Sequence, residues 1–346
     1  MTEHSPSPRL GLIPRDNSPV RIAVAGLGSM GGIHLKAAAI LRAGISEDYY
    51  KADLPQQIKR LQLCAVCDPE PSRQDEFPAY AFYQNWGEVL QDQKPHLAII
   101  ASPSESHYKL AMETLEAGVH VLVEKPITLT LKECETLIKV ADKKGCRLQA
   151  GHVERYNPVA IKLHSLICEG ELEISNYHFE RSQPLPSRIP DDIITDKLIH
   201  DLDLALYLFG PVTRTKTLRS REVDGRVMEI KVQLEHANGT QGTLFVSWLV
   251  SPEESKHRQV QMQAVDGKSV SGDFIGKTLF IAGLEISCGV QGLISPVNNQ
   301  IKDQLADFLA YCLEPIPGIP PPLLSREEML ESTKIIQHIR STLHHV

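Results

Sequence analysis

Nowhere in the 346-residue chain do about 18 apolar residues follow one another without a charge, so no membrane-spanning helix is expected. The N-terminal MTEHSPSPRLGLIPRDNSP has no apolar core of the kind a secretory signal needs, which reads as a cytoplasmic protein. A basic run is missing too. Against 43 Asp and Glu stand 36 Lys and Arg, leaving a formal net charge of -7, a poor footprint for nucleic acid or an anionic membrane. The 7 cysteines, an odd number scattered from Cys64 to Cys312, do not suggest a disulfide framework. Their one close pair, Cys64-Ala-Val-Cys67, lies in an apolar run where residues three apart on a strand face opposite ways. Core thiols are therefore expected, and no metal site. There is no internal repeat. What is present is ordinary globular sequence, 42% hydrophobic and 23% charged, long enough for two domains that each bury a core.

Residues 1–19 hold four Pro and three Ser and are expected to form a flexible tail. From Val20 to Ala150, apolar runs (Arg21–Ala25, Leu61–Cys67, His96–Ile100, His120–Glu124, Cys146–Gln149) alternate with stretches of helical spacing (Gly31–Gly44, Ser106–Gly118, Thr130–Gly145). Continuous apolar strands alternating with helices predict an α/β, doubly wound parallel sheet of Rossmann type over 20–150. Over 151–322 the pattern changes. Helices are expected at Pro158–Cys168, Ile193–Phe209 and Asn298–Cys312, and strands at Val227–His236, Thr243–Val250, His257–Val265 and Lys277–Ile281. Turns are expected at Asn238-Gly239, Asp266-Gly267 and Ser271-Gly272, so this second domain reads as α+β with an open, mainly antiparallel sheet. A proline-rich linker then leads to a C-terminal helix in 323–346.

Gly26-Leu-Gly28-Ser29-Met30-Gly31 falls between the first strand and the first helix. There, the glycines give a tight turn, a close approach to a pyrophosphate and close helix packing, with helix N–H groups facing the phosphates. Asp68 ends the second strand, placed to take ribose hydroxyls and to repel a 2′-phosphate, which favours NAD over NADP. It lies 42 residues beyond Gly26, against about 20 in the usual fingerprint; the surplus falls in residues 45–60. The same loop suits S-adenosylmethionine, so the glycines alone leave the chemistry open.

Glu124-Lys125-Pro126 follows the strand ending at Val123, at the carboxyl rim where such sheets hold ligands. A lysine there can reach a substrate oxygen; an exposed lysine before a turn explains it as well. Asp196, His200 and Asp203 stand at helical spacing on one face, as a general base with an orienting carboxylate requires, and as a surface ion pair would also place them. In Gly151-His-Val-Glu-Arg155-Tyr156-Asn157-Pro158, hydrogen-bonding groups crowd the domain junction. Arg155, with Arg181 and Arg188 downstream, offers cations for a charged substrate, although solvated arginines are the more usual outcome for the two downstream. His34, His107 and His152 have weaker cases.

Together the GLGSMG, EKP and D-x-x-x-H-D-x-D motifs, in that order, resemble the Gfo/Idh/MocA family of nicotinamide-dependent oxidoreductases. The resemblance implies that Lys125, His200 and Asp196 are catalytic and that Ser102, Pro103, His107 and Glu124 lie beside the nicotinamide. Ser104 stands where the family has Asn, and Leu198 where many members have Gly. It also implies a sheet in the second domain that builds a homodimer or homotetramer. GHVERYNP with IHDLDLAL is most similar to the branch that oxidises UDP-N-acetylglucosamine at its 3-hydroxyl. That implies a small-molecule substrate bound by Lys125, Arg155, Tyr156, Asn157, Arg181, Asp196 and His200. An inositol or free-hexose dehydrogenase and a non-catalytic NAD-binding regulator are the alternatives.

Overall fold

The computed structural model describes residues 13, 18–43, 60–187, 192–251, 253–288, 299–312 and 323–343. Arg188, most of the expected tail and of the 45–60 insertion, and the proline linker up to Pro322 lie outside them. The chain divides into two compact units, Met1–Gly151 with Ser295–Arg326, and His152–Ile294 with Glu327–Val346.

The first unit is built on strands β1 (Val20–Ala25), β2 (Leu61–Cys67), β3 (Phe82–Tyr83), β4 (Leu97–Ile100), β5 (His120–Val123) and β6 (Leu148–Ala150). Between them run helices α1 (Ser29–Arg42), α2 (Trp86–Gln93), α3 (Ser104–Glu116) and α4 (Leu131–Lys144). All strand pairs are parallel, in the order β3-β2-β1-β4-β5-β6, so the order reverses between β1 and β4, where doubly wound sheets take their ligands. Ile22, Ala23, Val24, Ala98, Ile99, Ile100, Val121, Leu122 and Val123 are all fully buried, which is why these runs carry no polar alternation. α4 starts on a capping box, with Thr130 Oγ1 accepting from Glu133 N and Glu133 Oε2 accepting from Thr130 N.

In the second unit, α5 (Pro158–Cys168), α6 (Ile199–Phe209) and a later helix cover one face of an eight-stranded sheet. Its strands are β7 (Ile174–Ser182), β8 (Val212–Val223), β9 (Arg226–His236), β10 (Gln241–Ser247), β11 (His257–Ala264), β12 (Ser269–Asp273), β13 (Thr278–Ile281) and β14 (Leu284–Glu285). They lie in the order β14-β13-β12-β11-β7-β10-β9-β8, antiparallel except for β7 against β10. On β9, Ile230, Val232 and Leu234 enter the core, while the half-buried Lys231, Gln233 and Glu235 alternate with them. Ser271-Gly272 is not a turn, as expected from the sequence, but part of β12. A Cβ on Gly272 would meet a Val159 methyl at 2.9 Å, so the glycine admits α5 against the sheet.

Helix α7 (Asn299–Cys312) belongs to the first unit and packs along α1, a correction to its expected place in a 151–322 domain. Its apolar residues Ile301, Leu305, Phe308 and Leu309 are buried, and Gln304 donates to Ala150 O at 3.4 Å. Last comes α8 (Arg326–Leu343), whose Ile335, Ile336 and Ile339 join the core of the second unit.

Candidate active site

In the first unit the three glycines do separate jobs. Gly26 has φ +88°, and a Cβ there would lie 2.4 Å from Ser102 N. On Gly31 a Cβ would sit 1.9 Å from Gly26 O, so β1 and α1 could not approach as they do. Around Gly28 nothing lies within 4 Å of a would-be Cβ, and as N-cap of α1 it offers no side chain to the first-turn N–H groups. Those donors, with exposed Ser29 and half-buried Met30 beside them, face an open cradle that fits a pyrophosphate.

Asp68 reaches this loop despite the 42-residue separation. Its Oδ2 accepts from Leu27 N at 2.7 Å and its Oδ1 from Glu70 N at 3.0 Å, which holds the carboxylate beside the cradle. Next to the loop is a cleft of about 620 Å³, lined among others by Gly28, Ser29, Lys36, Arg73, Phe77 and Tyr80.

At the ends of β4 and β5, two histidines hold the backbone. His107 of α3 has Nδ1 2.7 Å from Pro126 O and Nε2 2.8 Å from Ser102 O, which ties the turn at Ser102-Pro103 to the one carrying Lys125. The Lys125-Pro126 peptide is cis. Fully buried His34 of α1 places Nε2 2.7 Å from Glu124 Oε1. Burial disfavours the Glu124 charge, but the His34 hydrogen bond and charge, with Lys125, hold its carboxyl below the ordinary range. His34 is the residue that sequence reasoning underrated. Its signal was a lone imidazole on the buried stripe Gly31, His34, Leu35, Ala38 of α1, a position that demands a polar partner.

In the second unit, His200 lies half-buried in the first turn of α6, after a π-helical turn at Ile194–Leu198 that contains Asp196. Asp196 pairs with Lys197 at 3.2 Å. Asp203, expected on the His200 face, is instead spent on Arg155, whose Nε and Nη2 meet its carboxylate at 2.9 and 2.7 Å. Arg155 also donates to Glu328 at 2.9 Å. Arg181 makes the matching fork onto Asp201, at 2.9 and 2.6 Å, and reaches Glu154, which Arg258 also contacts at 2.5 Å. Burial opposes the charge of both arginines, yet the paired carboxylates raise both above the ordinary arginine value.

These pairs overturn part of the expected substrate site. Arg155 is wholly inaccessible and Arg181 nearly so, their charges matched inside the protein, so neither offers a cation to a ligand. Asn157 caps α5 through Val159 N and donates to Phe274 O, and Tyr156 is buried. The stretch from His152 to Pro158 thus anchors the second unit internally. Among the described residues no group of three or more His, Cys, Asp or Glu could hold a metal, and no helix is long and apolar enough to cross a membrane.

Residues 20–152 match the model of an oxidoreductase family with an NAD-binding Rossmann fold, and residues 169–266 match the GFO/IDH/MocA C-terminal domain. The chain belongs to the Gfo/Idh/MocA family. UDP-N-acetylglucosamine 3-dehydrogenase of Acidithiobacillus ferrooxidans is 32% identical over 188 residues, 53% of this chain and 56% of that protein. The scyllo-inositol 2-dehydrogenase (NADP(+)) IolW of Bacillus subtilis is 30% identical over 182 residues, 49% of this chain and 51% of that one. These alignments span little more than half the length of either relative. The solved structure of the A. ferrooxidans enzyme, GnnA, superposes with a TM-score of 0.75 at 25% identity, covering 93% of this chain and 97% of that one. In family terms the first unit is the NAD-binding domain, and the second carries the mainly antiparallel sheet.

Proposed function

We propose that the chain is an NAD-dependent dehydrogenase that oxidises a secondary hydroxyl of a sugar to a ketone, with the 3-hydroxyl of UDP-N-acetylglucosamine as first candidate. The observation that carries the dinucleotide is the open cradle at Gly28 with Asp68 tied to the same loop. Likeness to GnnA along nearly its full length supports the nucleotide sugar. Bound NAD would supply the redox chemistry by accepting a hydride. Asp68 hydrogen-bonds the ribose and discourages a 2′-phosphate, while Ser102, Pro103, His107 and Glu124 shape the nicotinamide end. Lys125 steadies the developing alkoxide with its ammonium, and His200, with Asp196 as partner, takes the hydroxyl proton. The half-buried sheet face bearing Lys231, Gln233 and Glu235 is the surface we assign to a homodimer or homotetramer.

One observation favours a second reading. With Arg155 and Arg181 internally neutralised, a sugar diphosphate must find other cations, which a neutral inositol or free hexose does not need. Absorbance at 340 nm with UDP-N-acetylglucosamine, scyllo-inositol, myo-inositol and glucose, each with NAD and NADP, separates the readings. Calorimetric NAD binding without turnover of any of them leaves the NAD-binding regulator. Failure to bind NAD refutes the proposal altogether.

A further inference from the structure

The EKP turn is gripped on both flanks by imidazoles from different helices. On the far flank, His107 Nδ1 meets Pro126 O. On the near flank, both Glu124 oxygens are occupied, Oε1 by His34 Nε2 at 2.7 Å and Oε2 by the backbone N–H of Lys125 at 3.2 Å. Space around this carboxylate is tight. A Cβ on Gly151 would lie 2.9 Å from Glu124 Oε2 and 3.0 Å from its Cα, so the next strand end passes against Glu124 only as glycine. Two backbone bonds complete the frame, Glu124 N to Ile100 O and Gly151 N to Val123 O.

We propose that His34 and Glu124 form a positioning pair for Lys125, setting where its side chain leaves the sheet. A carboxylate held at one oxygen only could rotate, and its bond to Lys125 N would loosen. With His34 donating to Oε1 the rotor is fixed, and with it the plane of the Glu124-Lys125 peptide from which the Lys125 side chain departs. Neither residue needs to touch substrate for this. A carboxylate acceptor, buried away from water, makes the bond stronger than one between two neutral groups. The role in turnover rests on the dehydrogenase reading above; the placement of Lys125 does not.

The test compares His34→Ala, His34→Gln and Glu124→Gln with the parent protein. Glutamine at 34 places an amide donor near the Nε2 position, and Glu124→Gln keeps the shape but cannot accept from both His34 Nε2 and Lys125 N, so one of the two bonds is lost. Reductive methylation with 13C-formaldehyde marks the lysines, and the resonance lost in Lys125→Arg identifies Lys125. We expect that line to be single and narrow in the parent and in His34→Gln, and shifted or broadened in His34→Ala and Glu124→Gln. In the NAD-coupled assay kcat falls about 10- to 100-fold in His34→Ala, as small misplacements of a catalytic group do. His34→Gln recovers most of the loss, and NAD affinity by calorimetry stays within about twofold in both His34 variants. If His34→Ala does not fold, Glu124→Gln carries both readouts. An unmoved Lys125 line, or equal defects in His34→Ala and His34→Gln, overturns the proposal. So does a parallel loss of NAD affinity and kcat in His34→Ala. A parent that binds NAD but oxidises no sugar refutes the dehydrogenase reading while the Lys125 line still decides the positioning.

Discussion

Replacing Arg155 with Met should be among the most damaging single changes in the second unit. The guanidinium is fully buried, forks onto Asp203 at 2.7 to 3.1 Å, and reaches Glu328 at 2.9 Å. Glu328 keeps 27% of its side chain exposed and can turn to water, whereas Asp203, 1% exposed, cannot. The variant therefore strands one buried carboxylate. Breaking a buried pair from one side costs about 3 to 5 kcal/mol, a large part of the roughly 5 to 15 kcal/mol that holds a domain. For a unit of this size the same loss lowers the melting temperature by roughly 6 to 20 °C. Urea unfolding followed by tryptophan fluorescence measures it. The chain has 2 Trp, Trp86 in the first unit and Trp248 in the core of the second, so a Trp86→Phe background reports the second unit alone. Combining Arg155→Met with Asp203→Leu removes both charges and should recover most of the stability, giving a coupling of several kcal/mol in the double-mutant cycle. A single-variant loss below about 1 kcal/mol, or additive losses in the double variant, would refute the reasoning.

Other expectations follow from the first unit and from the buried histidines. Gly28→Ala meets nothing in the folded chain, so the melting temperature should hold while NAD affinity drops; unchanged affinity would remove the pyrophosphate from this loop. Gly31→Ala drives a methyl onto Gly26 O and should cost folding itself, seen by circular dichroism. Asp68→Ser should shift the NADP to NAD preference upward by about tenfold or more in paired titrations, since it deletes the charge that repels a 2′-phosphate. His236 is buried, with Nε2 on the Tyr177 hydroxyl and Nδ1 on Gly210 O, and burial lowers its pKa despite the latter bond. The unfolded chain then takes up that proton first. Its contribution is full above pH about 6.5 and is lost as pH falls toward the lowered folded value. Urea midpoints at pH 7.5 and 5.5 should drop less in His236→Gln than in the parent, and equal drops would exclude this site as a cause.

The parallel sheet was readable because its strands are buried on both faces, so Leu61–Cys67 and Leu97–Ile100 stand out as apolar runs. The second sheet was harder. β8 is TRTKTLRSREV after its first valine and is exposed or half-buried at every position, so no apolar face betrays it. β12 hid behind a Ser-Gly pair whose glycine serves packing rather than a turn. Of the site, the motifs on single elements were legible: the glycine loop, Asp68 and EKP. The fate of Arg155 and Arg181 was not, since their carboxylates lie 48 and 20 residues away on α6, with no local spacing to announce the pairs. His34 was hidden likewise, its partner being 90 residues distant.

The return of α7 to the first unit bears on how the protein is made. A ribosome that has delivered residues 20–151 has supplied all six parallel strands, but not Ile301, Leu305, Phe308 and Leu309, which lie on the helix beside α1. The dinucleotide fold must therefore wait, with that flank uncovered, through the synthesis of nearly all of the second unit. It completes only after Cys312 has left the exit tunnel, so the domain that begins first finishes only shortly before the second, which waits for Ile335, Ile336 and Ile339 of α8.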